Sequence, residues 1–183
     1  MNCYCVEAEE ATLLVDPLVE RWAELDAVVE RRARPVHVLL SRAGHFRSSQ
    51  EAHDRYGAPV WGHERGRERL RGDYRVVELG DDLPGGARVL AYRQVYDGTP
   101  LYLPSHRALA PGDLVVSIGG ELRVWWAAEN EEELEELRHE HIPSLRPWLE
   151  LPLEHVLVAH GAYVEGGRDE LAAAFARAPW DES

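Results

Sequence analysis

The chain carries nine histidines, two cysteines and no lysine, and all 20 of its basic residues are arginine. The missing lysine amine removes Schiff-base, P-loop and Ser–Lys chemistry together. No G-x-S-x-G offers a nucleophile elbow, no C-x-x-C offers a zinc knuckle or redox pair, and no G-x-G-x-x-G follows a strand. Cys3 and Cys5 stand at i, i+2 of an extended stretch. They share one face of a strand, in poor position for a disulfide, and a buried pair of thiols is expected. Imidazoles and carboxylates remain, the residue types of metal sites and general acid–base chemistry. His45 lies in a polar loop, Ser41 to Ser49, close to Arg42 and Arg47. His160 ends an apolar run before Gly161, and Asp113 follows Pro111-Gly112. Each also has a plainer reading, as a loop anchor, a strand-end imidazole and a turn residue. His139 and His141 have H-x-H spacing but close an acidic helix, which argues against a metal role. His37, inside an apolar strand, reads as a hydrogen-bonded core imidazole. His53 and His63 read as surface residues.

The elements that must position these groups alternate between two periodicities. Cys3–Val6 and Ala11–Val15 read as short strands around an acidic turn, ended by Asp16-Pro17. Leu18 to Arg34 has apolar residues at helical spacing (Leu18, Trp22, Leu25, Val28, Val29) and stops at Pro35. Val36 to Leu40 is nearly all apolar, as a strand in the middle of a sheet should be. A helix capped near Ser48 or Ser49 runs to Tyr56, with Gly57 as its stop. Ala58–Gly62 is a short strand, and His63–Leu70 is charged and helical. Further strands are expected over Arg75–Leu79, Arg88–Val95, Thr99–Leu103 and Leu114–Ile118, with Glu121–Trp126 as an extension. Glu129–Arg138 is an acidic helix with a solvated face. His155–Ala159 is an inner strand, and Arg168–Ala178 a final amphipathic helix. This interleaving fits layered sheets with helices outside.

Several of these pieces, in order, resemble the metallo-β-lactamase fold superfamily. NCYCV…TLLVDPL is similar to its opening strand pair, which ends in an Asp before the first helix. VHVLLS and the histidine-bearing loop after it resemble the strand that leads into the metal motif H-x-H-x-D-H. EAHDRYGAPVWGH resembles the helix, glycine and short strand that follow. LYLPSHRALAPGDLVV resembles the hairpin that ends in the metal-bridging Asp, and HVLVAHGAYVEGG the late strand that delivers the last histidine. The resemblance spans nearly the whole chain. It implies a single α/β domain over residues 1–183, a four-layer αββα sandwich shortened at its N-terminus, with a one- or two-metal site at the edge of the two sheets. The family's members are mostly hydrolases of esters, thioesters, lactams and phosphodiesters.

The metal motif is mostly missing. Read without gaps, its two histidines, Asp and last His fall on Arg42, Gly44, Phe46 and Arg47. Read backward from the Gly57 turn with a two-residue deletion, the last His falls on His45. The histidine that precedes the hairpin is replaced by Tyr96 or Asp97. Asp113 matches the bridging Asp and His160 the last His. The resemblance therefore implies His45, Asp113 and His160 as ligands of one half-site. Two imidazoles and a carboxylate leave open positions on Zn²⁺ or Fe²⁺, where a bound water would be acidified for attack on a carbonyl or phosphoryl centre. Asp97 is a candidate fourth ligand or catalytic base. Arg42 and Arg47 oppose a second cation; they bind an anion or pair with acidic neighbours. Two functions follow: a hydrolase with one Zn (or Fe or Mn), or a metal-free, catalytically silent relative that binds or assembles.

Length and charge bound the rest. A chain of 183 residues buries a real core, and 33 acidic against 20 basic residues give a formal charge of −13. Such a field disfavours phosphate-driven nucleic-acid binding and adhesion to anionic membranes. The expected partner is a small-molecule ligand, with no nucleic acid and no membrane. The N-terminus has neither a basic region nor a long apolar run, which predicts a cytoplasmic protein. Exposure of Trp125-Trp126 or Trp180 would favour a homodimer patch.

Overall fold

The structure is a computed structural model of the chain, and it describes residues 1–94, 96–126 and 130–179. Among these described residues lie eleven strands and five α-helices. The order is β1 Tyr4–Glu7, β2 Thr12–Val15, α1 Trp22–Arg32, β3 Val36–Leu39, α2 Ser49–Tyr56, β4 Val60–Gly62, β5 Tyr74–Val76, β6 Arg88–Val89, β7 Leu101–Leu103, β8 Ala108–Ala110, β9 Val115–Ile118, β10 Glu121–Val124, α3 Glu131–Glu136, α4 Ile142–Leu145, β11 His155–Val156 and α5 Gly167–Ala176. One sheet runs β1-β2-β3-β4-β5; a second runs β11-β8-β7-β6, and β9-β10 form a hairpin. Strands β2 to β5 are parallel and β1 is antiparallel to β2.

Alternation along the strands divides the buried residues into three cores, hence four layers. In β2, Leu13 and Val15 face the space between the sheets, while Leu14 faces α1 and α2. In β7 and β8, Leu101, Leu103, Ala108 and Ala110 share that inner space, while Tyr102 and Leu109 face α3, α4 and α5. This is the αββα sandwich expected from the sequence. Val36–Leu39 is the middle strand of its sheet.

Several elements differ from expectation. The first helix begins at Trp22 rather than Leu18, and the chain before it is tied to the next loop, where Val19 N–H donates to Ser48 Oγ at 3.0 Å. Strand β11 covers only two residues, and the chain beyond it lies between β8 and β9. There Leu157 N–H donates to Leu109 O at 2.7 Å and Ser117 N–H to His160 O at 3.0 Å. The strand expected over Arg88–Val95 reduces to Arg88–Val89, and Val95 lies outside the described residues, as do Glu129 and Trp180. Cys3 and Cys5 are exposed, not buried. Cys5 lies on the edge strand and Cys3 just before it, beside a helix α1 that buries none of its residues completely. His37 is only half-buried, accepting from Trp61 Nε1 at 3.3 Å. Among the described residues no helix is long and apolar enough to cross a membrane.

Candidate metal centre

Three loops and a strand end meet at one edge of the sandwich. Asp16 follows β2 in a left-handed conformation (φ +48°), which Asp tolerates better than most residues. It is 3% exposed, and its carboxylate accepts from Ser41 N–H at 2.8 Å and from Ser41 Oγ. Its Oδ2 also lies 3.0 Å from His45 Nδ1. That contact turns the ring so that Nε2 faces outward, the arrangement of a carboxylate–histidine–metal relay. Gly112 lies at φ +64°, and a Cβ there would stand 2.9 Å from the Ser41 carbonyl oxygen. Only glycine lets the turn before Asp113 press against the His45 loop. Gly161 does the same after His160, where a Cβ would collide with the Ser117 carbonyl.

His45 Nε2 stands 3.1 Å and His160 Nε2 3.2 Å from Asp113 Oδ1. Neither ring N–H is aligned on that oxygen, so Oδ1 is buried without a hydrogen-bond partner. Ligand atoms sharing a tetrahedral ion at roughly 2.0–2.2 Å stand about 3.3–3.6 Å apart. All three donors lie within 4.8 Å of one another, and this is the only such group among the described residues. Orphaned oxygen, spacing and donor chemistry therefore fit one divalent ion. Burial opposes the charged form of His45, but the Asp113 and Asp16 carboxylates outweigh it and raise the pKa to about 9. Burial opposes the Asp113 carboxylate too, and His45 with Arg42 outweighs it, lowering its pKa to about 2.

No family model matches the chain, and no curated protein matches it in sequence. Solved structures do. The metallo-β-lactamase IND-7 is 14% identical, with 96% of this chain and 85% of that one covered at a TM-score of 0.65. TTHA1623, solved in a di-iron-bound form, is 20% identical over 97% and 93% at 0.63. ETHE1 from Myxococcus xanthus is 19% identical over 96% and 77% at 0.61. The chain has the metallo-β-lactamase fold.

Within that fold the structure brings His45, Asp113 and His160 together and leaves Asp97 outside the group. Asp97 Oδ1 accepts from Arg42 Nε at 3.1 Å, and Arg42 Nη1 donates to Asp113 Oδ2. The guanidinium therefore lies between the two carboxylates, pairing with acidic neighbours. Arg47 donates to the Asp16 carbonyl at 2.9 Å. His139 is exposed and pairs with Glu135, and His141 is fully buried among aromatic rings, so neither joins a metal cluster. Asp16 and Ser41 join the site in the structure although their types and spacing do not single them out. Asp16 directly follows an apolar strand, which is also the mark of an ordinary turn.

Arg42, His45, Asp113 and His160 floor a cleft of about 610 Å³, with Val116, Ile118 and Trp125 as its apolar side. A groove of about 410 Å³ between β1 and α1 lies elsewhere and contains no comparable ligand group among the described residues.

Proposed function

We propose that the chain is a divergent metallo-β-lactamase-fold hydrolase that uses a single metal ion on a small ester, thioester or phosphoester. The observation that carries this reading is the convergence of His45 Nε2 and His160 Nε2 on the orphaned Asp113 Oδ1. A Zn²⁺, Fe²⁺ or Mn²⁺ ion bound there would polarise a carbonyl or phosphoryl oxygen and acidify a water. In this reading His45, fixed by Asp16, and His160 supply neutral imidazoles, and Asp113 supplies the balancing charge. The open cleft admits substrate from the His160 side, where that side chain is 40% exposed. Asp97, a candidate base from the sequence, takes a positioning role here: its carboxylate holds the Arg42 guanidinium in the cleft wall.

One observation favours a second reading, a metal-free relative that binds a ligand. The Arg42–Asp113 ion pair already neutralises part of the ligand carboxylate. Calorimetric titration with Zn²⁺, Mn²⁺ and Fe²⁺ at neutral pH separates the two. One equivalent should bind, and His160→Ala should weaken it by more than the roughly 10–100-fold that outer residues contribute. The loaded protein should then cleave p-nitrophenyl acetate, an acyl thioester or bis-p-nitrophenyl phosphate. Absence of binding, or binding that His160→Ala leaves unchanged, turns the assignment to the metal-free reading.

A further inference from the structure

Arg42 is held but not used up. A guanidinium has five N–H donors. Nε donates to Asp97 and Nη1 to Asp113, and the other three N–H groups have no partner among the described residues. The side chain is 31% exposed and lines the cleft beside His45, Asp113 and His160. Its Cζ stands 6.0 Å from the ring centroid of Trp125, which lines the same cleft. Two carboxylates thus fix the plane of a cation whose remaining donors are free. The ordering cost of a fork-like contact has been met before any ligand arrives. Val116, Ile118 and Trp125 add an apolar wall a short reach away.

We propose that Arg42 and Trp125 are the specificity-determining pair of this cleft, and that its substrate carries an oxyanion, a carboxylate or a phosphate, on an apolar body. The oxyanion accepts from the free N–H groups of Arg42, and the apolar body packs on Trp125. A free guanidinium edge suits a planar carboxylate or two phosphate oxygens, which an ammonium would match less well. The local charge sets a condition. Asp16, Asp97 and Asp113 contribute −3, and Arg42 together with Arg47, which donates to the Asp16 carbonyl, contributes +2, so with neutral histidines a divalent ion takes the cluster from −1 to +1. An anion on Arg42 also meets the Asp97 and Asp113 carboxylates, and only the ion's charge offsets them. The inference thus rests on the single-metal reading and predicts that zinc and the oxyanion bind with mutual support.

The test uses the full chain, with phenyl phosphate, benzoate and neutral benzamide titrated calorimetrically with and without one equivalent of zinc. Zinc uptake itself is measured separately. The zinc-loaded chain should bind phenyl phosphate or benzoate at least ~10-fold more tightly than benzamide, and the better of the two names the oxyanion. Arg42→Gln should lose about 10–100-fold of that affinity, the worth of a charge-assisted hydrogen bond, and Arg42→Lys should recover part of it. Trp125→Leu leaves both ion pairs of Arg42 in place. It should weaken phenyl phosphate while leaving inorganic phosphate unchanged, which guards against an Arg42 variant that folds badly. Equal affinity of Arg42→Gln and wild type for the anions, or benzamide binding as tightly as they do, overturns the proposal. A chain that takes up no zinc refutes the single-metal reading and this proposal with it, whereas zinc uptake without preference for the anions refutes the proposal alone.

Discussion

Asp16 and His45 form a buried pair in which carboxylate Oδ2 lies 3.0 Å from imidazole Nδ1, so the ring presents Nε2 to Asp113. The pairing assigns the Nδ1 proton to the contact with Asp16 and leaves Nε2, in the neutral ring, as the lone-pair donor. Asp16→Asn tests this relationship with little change in shape, and Asn tolerates the positive φ at this position. Its amide can still accept from Ser41 N–H, but its NH₂ then faces His45 Nδ1. The ring must accept there and move its proton to Nε2, the ligand atom. Metal affinity should fall roughly 10–100-fold, with about 1–3 kcal/mol lost in stability from mismatched buried partners. Calorimetry and urea melts measure the two; unchanged zinc affinity would show that Asp16 does not set the ring.

The chain should hold no second ion. Asp113 Oδ2 and Asp97 Oδ1 are the carboxylate oxygens that could extend the ligand group, and Arg42 donates to both. A fixed guanidinium there repels a divalent cation directly. Metal analysis after zinc loading and dialysis should give no more than one equivalent per chain, and two would contradict the blocking role of Arg42.

Much of the sandwich is legible in the sequence, because β2 and β3 are short apolar runs bounded by turn residues and α2 is bracketed by Ser48 and Gly57. Leu13, Leu14 and Val15 are apolar on both faces, and Val36 to Leu40 nearly so, which only a strand covered on both sides needs. Strand β8 is different. Its Ala108-Leu109-Ala110 sequence has small residues on the inter-sheet face, and its length of three residues gives periodicity too little to act on. The exposed cysteines depart from the buried pair expected for a related reason: whether an edge strand is covered depends on where α1 lies, and no spacing within β1 reports that. At the site, residue type and chain position point to Asp113 and His160. The role of Arg42 was open, since one arginine can pair with an acid or receive an anion until its neighbours are known. Asp97, 16 residues before Asp113 in sequence, could not be separated from the ligand set without seeing Arg42 between them.

Zinc uptake should release a proton. In the metal-free protein the Asp113 and Asp16 carboxylates overcome burial and raise the His45 pKa to about 9, so the ring is protonated at pH 7.5. A ligand must be neutral, and the ion therefore displaces that proton. Calorimetry at pH 7.5 in buffers of different ionisation enthalpy should find about one proton released per zinc. The sign for the metal-free fold is opposite to that for metal binding. Because the folded pKa lies above the unfolded value of about 6.5, the His45 contribution to stability is fully present below pH 6.5. It is lost as pH rises toward 9. Zero proton release would mean that His45 is already neutral or is not a ligand.

His141 should make the protein sensitive to mild acid. Its ring is fully buried in the core beside Tyr92 and Trp126, at centroid distances of 6.0 and 4.8 Å, and neither ring nitrogen has a hydrogen-bond partner. Burial lowers its pKa to about 4. Arg93 and Glu136 are the charges nearby, and they act in opposite directions. Between pH 6.5 and 4 the unfolded chain therefore binds a proton here that the folded chain does not, so stability falls as the pH is lowered through that window. A shift of this size corresponds to about 3 kcal/mol. His45 adds a slope of opposite sign only near the top of this window, where the unfolded ring is still titrating, His37, also lowered by burial, adds one of the same sign, and the depressed Asp113 acts mainly below pH 4. His141→Leu keeps an apolar side chain of similar size between the aromatic rings and removes two unpartnered nitrogens. It should raise stability at pH 7 by about 1–3 kcal/mol and flatten the loss between pH 6.5 and 4, as read by urea melts at half-unit steps. A variant whose stability falls with the same slope as the wild type would place the acid sensitivity outside this imidazole.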